Sequence, residues 1–215
     1  MRHKFLPSFV QRKGRITKYQ EKNLSSLPNY EISSFLEIEK AKNNFKKVIL
    51  EIGFGNGENV FKFANNNREN LYIGSEVYMA GIGQLLGGII ANDLNNLKIV
   101  TGDIRLLLDE VKQPIFDDVV IICPDPWPKL KHHKRRMLNG NFLNLIHKTI
   151  KDDGHLFMST DWENYAESIE GAINQNEGFV KVKNSIYQDA SLTKFQQRAV
   201  KEGRKIYPFP LKKVS

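Results

Sequence analysis

Cysteine is almost absent from this chain: Cys123 is the only one among 215 residues. That excludes a disulfide framework and the cysteine-rich zinc sites, and it points to a reducing compartment. Long hydrophobic runs are missing as well. The longest candidate, Ile82 to Ile90, is broken by Gly83, Gln84, Gly87 and Gly88, well short of the ~18 apolar residues a membrane span needs. The first fifteen residues carry charges throughout and no uninterrupted apolar core, so no signal peptide is expected and the chain reads as cytoplasmic. His132, His133, His147 and His155 lack metal-ligand spacing, and no metal is expected. No internal repeat stands out.

Acid is scarce in three places. Residues 1–22 hold seven Lys/Arg and one acid, residues 129–136 five and none, and residues 194–215 seven and one. Those segments carry 19 of the 32 bases and 2 of the 24 acids, while the other 163 residues carry 13 and 22. The total of +8 is therefore an acidic body wearing three basic appendages, the electrostatic footprint of a polyanion partner.

What is present reads as one α/β domain. Residues 1–45 show no clean periodicity and form a basic, partly mobile N-terminal extension; residues 46–215 form the domain proper. Buried-strand runs are expected at Val48–Ile52, Leu71–Ser75, Leu97–Thr101, Asp118–Ile122 and Gly154–Ser159. Helices are expected at Glu58–Ala64, Tyr78–Asp93, from Asp103 through Leu108, at Asn139–Ile150, and after Trp162 to about Gln175. Five alternations of strand and helix predict a doubly wound, mostly parallel sheet. Phe179–Val182 is expected to be extended, and the last twenty residues, with Pro208 and Pro210, to add an edge strand, where proline is tolerated.

Two motifs carry the chemistry. The first is Glu51-Ile52-Gly53-Phe54-Gly55-Asn56-Gly57, a glycine turn between a strand and a helix start, where the backbone meets a ligand closely. A dinucleotide fingerprint needs glycine at 58, and that residue is Glu58, which would oppose a pyrophosphate. Glu51, then Glu76 closing the second strand and Asp103 closing the third, suit an ammonium, a ribose and an adenine. That combination describes S-adenosylmethionine, while Glu58 disfavours a nicotinamide dehydrogenase. The second motif, Pro124-Asp125-Pro126-Trp127-Pro128-Lys129, is a stiff exit from the fourth strand, followed by the basic run to Arg136. Asp125 there is the candidate catalytic group. Trp127 either stacks on a base or packs beneath the loop.

With both motifs in view, the chain resembles the bacterial tRNA (guanine-N7-)-methyltransferases. The matching residues are the glycine turn, the Pro124–Lys129 loop, His133-Lys134-Arg135-Arg136, Thr160-Asp161-Trp162-Glu163-Asn164-Tyr165-Ala166 and Thr193-Lys194-Phe195. Basic Arg12-Lys13-Gly14-Arg15 matches that family's N-terminal segment. The resemblance implies a Rossmann-like, class I methyltransferase with S-adenosylmethionine as donor and the variable-loop guanine of tRNA as acceptor. It also implies cofactor contacts at Glu51, Gly53, Gly55, Gly57, Glu76, Asp103 and Asp125, with Asp125 catalytic. Substrate contacts are implied at Lys129, Asp161, Thr193, Lys194, Phe195 and Gln196. An RNA-interacting arm is implied at Lys131, His132, His133, Lys134, Arg135 and Arg136. Gln196 departs from the family's usual Glu, keeping an acceptor but losing a charge, and Ser75 is also less usual. A monomer or weak homodimer is expected. Two rivals stand beside this reading. One is a methyltransferase acting on an exocyclic amino group of a base, although Asp125-Pro126-Trp127 lacks the second proline of that motif. The other is an RNA-binding subunit without catalysis.

Overall fold

The computed structural model describes residues 5–10, 14–183, 185, 187 and 193–214; Arg12 and Lys13 of the basic turn lie outside them. The chain divides into two compact units, Val10–Glu110 and Met1–Phe9 with Val111–Ser215.

The Val10–Glu110 unit is built on three parallel strands, β1 (Val48–Ile52), β2 (Leu71–Glu76) and β3 (Leu97–Thr101), with β2 in the middle. Every residue of β1 is buried, as an apolar run covered on both faces must be. Ile52 stands opposite Ser75 and Glu76 opposite Thr101, so the carboxyl ends of all three strands finish nearly level. Helices α3 (Glu58–Asn66), α4 (Met79–Ala91) and α5 (Ile104–Asp109) alternate with them. The N-terminal segment holds two helices that its weak periodicity did not reveal, α1 (Lys18–Leu24) and α2 (Phe35–Lys42). A capping box between Thr17 and Gln20 starts α1. The helix then crosses the glycine face of α4: a Cβ at Gly83 would lie 2.6 Å from the Gln20 carbonyl, and one at Gly87 2.1 Å from the Tyr19 hydroxyl. The amide of Asn23 donates to Gly83 O at that crossing (3.1 Å). The glycines that weaken the helical signal of α4 are thus what lets α1 dock. Beyond α1, Ile32 N–H donates to Ile99 O (2.8 Å) and Ile99 N–H to Tyr30 O (2.9 Å), so part of the outer edge of β3 is paired.

In the other unit β4 (Phe116–Ile122) runs parallel to β5 (Ile150–Thr160), and β7 (Tyr207–Lys213) and β6 (Phe179–Lys181) continue antiparallel in the order β4-β5-β7-β6. Helices α6 (Gly140–Thr149), α7 (Glu163–Asn174) and α8 (Lys194–Lys201) accompany them. β5 begins four residues earlier than its apolar pattern suggests, through the irregular register at Phe116/Asp118 and Asp153 at φ 63°. The expected edge strand at the C-terminus is a correction: β7 lies between β5 and β6. Its prolines are tolerated because Pro210 O accepts from Val182 N–H (3.0 Å). That carbonyl faces β6, so the ring nitrogens of Pro208 and Pro210 face away from β5 and the ladder to β5 needs no donor from them. Among the described residues no helix is long and apolar enough to cross a membrane.

Candidate active site

In the Val10–Glu110 unit the glycine turn departs from the end of β1 with three left-handed residues, Gly53 (φ 73°), Gly55 (φ 60°) and Gly57 (φ 81°). A Cβ added at Gly53, Gly55 or Gly102 would meet nothing within 4 Å. That side of the turn is open, and the acids of the three strand ends stand beside it.

Glu51 is buried in β1, and Asn59 at the start of α3 donates to its Oε2 (2.9 Å). Burial pushes its carboxyl up to about 8; the Asn59 bond opposes the shift and the Glu76 carboxylate adds to it. Glu76 holds the turn in place: its Oε2 accepts from Gly55 N–H (2.7 Å) and its Oε1 from Val77 N–H (2.7 Å) and Tyr78 N–H (3.1 Å). Asp103 caps α5, and both of its oxygens face Arg105, with Oδ1 taking Nε (2.9 Å) and Oδ2 taking Nη2 (2.6 Å). Buried Arg105 therefore orients the Asp103 carboxylate. A ligand with an ammonium at one end and a vicinal diol in its middle fits this donor and acceptor set, and the open glycines leave room for its backbone-close segment.

Gly81, three residues into α4, has a role that its spacing did not announce. A Cβ there would lie 2.0 Å from Gly55 O, closer than any real contact, so α4 packs directly against the turn. Gly→Ala inside a helix ordinarily stabilises by about 1 kcal/mol. Here the expected sign is reversed. Gly81→Ala displaces the turn and weakens donor binding by about tenfold or more, whereas Gly171→Ala in α7, with open space around it, leaves it unchanged. Calorimetric donor titration of both variants checks this.

In the other unit Asp125 and Asp161 lie just past the ends of the adjacent parallel strands β4 and β5, whose last pair is Ile122 and Ser159. The Asp125 loop is held in a strained shape: Cys123 (φ 46°) and Trp127 (φ 47°) on either side of it are both left-handed without being glycine, at a cost of about 1–2 kcal/mol each. Several contacts hold that strain. Cys123 N–H donates to Ser159 O (2.9 Å), Trp127 Nε1–H to Ser8 O (2.9 Å) and Arg136 Nε to Pro126 O (2.9 Å). Trp127 is buried, edge-on to His132 and covered by the Arg135 guanidinium at 4.7 Å. Of its two expected roles, packing beneath the loop is the one observed. Asp125 itself is exposed. Burial, and secondly the Asp161 carboxylate, push the Cys123 thiol up to about 12, so it is no nucleophile at neutral pH.

The arm is a 3-10 turn over Leu130–Arg135. Lys129, Lys131 and Lys134 are exposed, while His132 and His133 are half-buried. Partial desolvation, then the charges of Lys131, Arg135, Lys129 and Lys134, hold His132 below the usual histidine range. Arg136 differs from the rest of the arm. It is buried, bonds Asn164 O and Oδ1 as well as Pro126 O, and lies over the Tyr165 ring at 4.8 Å. It clamps the Asp125 loop onto α7, with Nε, Nη1 and Nη2 each making one bond there.

Asp161 is buried and ion-paired with Arg204, a residue that sequence spacing did not single out. Thr193 and Gln196 form a capping box at the start of α8, with Thr193 N–H donating to Gln196 Oε1 (3.0 Å). Glutamine closes that box as glutamate would, so the departure at 196 has a local structural reason. Phe195 is exposed and Lys194 opens the helix.

A family model described as a putative methyltransferase matches residues 45–209. The tRNA (guanine-N(7)-)-methyltransferase of Nitrosococcus oceani is 37% identical over 214 residues, which is 97% of this chain and 91% of that protein. That of Wolbachia pipientis wMel is 38% identical over 181 residues, covering 84% of this chain and 81% of it. Among solved structures, the 16S rRNA methyltransferase KamB superposes with a TM-score of 0.62 at 12% identity, over 86% of this chain and 95% of that one. A 30S ribosomal A1408 methyltransferase from an uncultured bacterium gives 0.60 at 19%, over 85% and 95%. These likenesses speak for the fold alone, a Rossmann-like α/β sheet. The matches in sequence run nearly end to end, and the chain belongs to the tRNA (guanine-N(7)-)-methyltransferase family.

Proposed function

We propose that this protein methylates N7 of a variable-loop guanine in tRNA, with S-adenosylmethionine as donor. The observation that carries the reading is the set of acids closing β1, β2 and β3 around an open glycine turn, in a chain so similar to enzymes of that name. Glu51 takes the donor's ammonium, Glu76 its ribose hydroxyls and Asp103 the adenine side. When bound, the donor supplies an electrophilic methyl on a sulfonium.

Guanine N7 has an in-plane lone pair and no proton, so no general base is needed before the transition state. Orientation and exclusion of water carry the rate. Asp125 accepts from the N1–H and N2 amino edge of guanine and offsets the positive charge the ring acquires. Asp161 shares that edge and Lys129 meets a phosphate. Incubating the protein with labelled donor and unmodified tRNA, then digesting and analysing nucleosides by mass spectrometry, should give N7-methylguanosine. A methyl on an exocyclic nitrogen, or none, would overturn the reading.

The arm contributes phosphate contacts that position without specifying. Replacing Lys131 and Lys134 with Ala should weaken all tRNAs alike and lower the salt slope of log Kd by about one per charge. Arg136→Ala should instead lower Tm by about 6 °C or more, because Pro126 O and the Asn164 acceptors lose their donors and the ring of Tyr165 its cover. Filter binding across salt concentrations and thermal melts separate the two classes.

A further inference from the structure

Asp161 follows the last residue of β5, and its side chain is 2% exposed. A carboxylate so placed needs a counter-charge, and it receives one from more than forty residues along the chain. The delivery is built with care. α8 ends in a Schellman turn: Gly203 is left-handed (φ 78°), Gly203 N–H donates to Val200 O (3.0 Å) and Arg204 N–H to Ala199 O (2.9 Å). The turn sends the Arg204 side chain back to Asp161, where Nη1 meets Oδ2. Its other nitrogen, Nη2, is held by Glu202 Oε2 (2.6 Å), and Glu202 Oε1 is held in turn by Arg198 Nε (2.8 Å). A second acid therefore fixes the plane of the guanidinium, and one face of the fork is reserved for Asp161.

We infer that Arg204 is a positioning residue for base recognition: by binding Oδ2 of Asp161 it balances that carboxylate's charge and turns its other oxygen toward the guanine edge. This rests on the reading of Asp161 as a base contact. The arrangement also ties the Thr193–Gln196 end of α8, through the helix itself, to the Asp161 loop. The titratable neighbours of the pair are Cys123, whose thiol stays neutral far above physiological pH, and Glu202, held below the usual carboxylate range first by Arg198 and then by Arg204. Neither changes charge between pH 6 and 9.

The test is a double-mutant cycle read against pH, with initial rates of N7-methylguanine formation for wild type, Arg204→Ala, Asp161→Asn, the double variant and Arg204→Lys. Arg204→Ala should lower kcat/KM for tRNA about 100-fold at neutral pH. Because a buried carboxyl without a counter-charge favours its protonated form, the loss should deepen toward pH 6 and shrink toward pH 9. In the Asp161→Asn background the same change should add less than about twofold. Arg204→Lys, which keeps the charge but not the fork, should recover part of the rate and the wild-type pH profile, and it serves if the alanine variant does not fold. A pH-independent loss with additive effects, or Arg204→Lys no better than alanine, would overturn the inference. A wild-type protein that methylates another atom removes the parent reading and this one with it, whereas an active wild type with an additive cycle removes only the role of Arg204.

Discussion

Asp125→Ala is expected to lose about 1,000-fold in kcat for tRNA methylation, roughly 4 kcal/mol of transition-state stabilisation, while binding S-adenosylmethionine nearly as well as wild type. The expectation starts from the loop. Two non-glycine residues, Cys123 and Trp127, sit in left-handed conformations on either side of Asp125. Buried bonds from Trp127 and Arg136 hold the loop in that shape. A chain with no use for the loop would relax it. Those anchors run through other atoms of the loop, so a thermal melt of the alanine variant, read beside its activity, separates loss of the carboxylate from loss of the loop. On the roles proposed for Glu51, Glu76 and Asp103, which belong to the other unit, its donor affinity should survive.

Asp125→Asn refines the test. An amide still accepts one hydrogen bond, but it cannot offset the charge that N7 methylation places on the ring. If that charge matters, Asn should fall nearly as far as Ala; if orientation alone matters, it should recover much of the rate. Single-turnover rates with saturating donor separate the chemical step from release. Near-wild-type turnover in Asp125→Ala would remove the catalytic role altogether.

Much of this was legible in the sequence because the strands of a parallel sheet advertise themselves. β1 and β4 are apolar runs ended by glycine or proline, and acids at their ends fall where open α/β sheets bind ligands. What was not legible depends on partners distant in the chain. Nothing around Arg204 signals that it reaches Asp161, and nothing around Arg136 signals that it is buried with bonds to Pro126 and Asn164. The glycines of α4 lower the helical signal, yet Gly83 and Gly87 are where α1 crosses and Gly81 is where the glycine turn approaches. Helices α1 and α2 are seven and eight residues long, too short for periodicity to stand out against capping and loop residues. The interior placement of β7 was missed for a related reason. Proline interrupts a ladder only on the side that its nitrogen faces, and strand sidedness is not visible in one sequence.

Glu51 makes the second large prediction, and it concerns protons. With its carboxyl pushed up to about 8 by burial, Glu51 in the free protein should be mostly protonated at pH 7. Pairing with the donor's ammonium needs the carboxylate, so binding near pH 7 should release close to one proton. Titrations in two buffers of different ionisation enthalpy measure it directly. Donor affinity should rise about tenfold from pH 6 to pH 7 and level off above pH 8. Glu51→Gln should lose about 100-fold in donor affinity and abolish the proton release. Stability follows the opposite course. The folded protein binds this proton more tightly than the unfolded chain, so the contribution of Glu51 is fullest below pH 4.5 and is lost as pH rises toward 8. Free Glu51→Gln should therefore melt above wild type at pH 9 and level with it at pH 5. A wild type that binds donor with no proton release and a flat pH dependence would show that Glu51 is not the ammonium's partner.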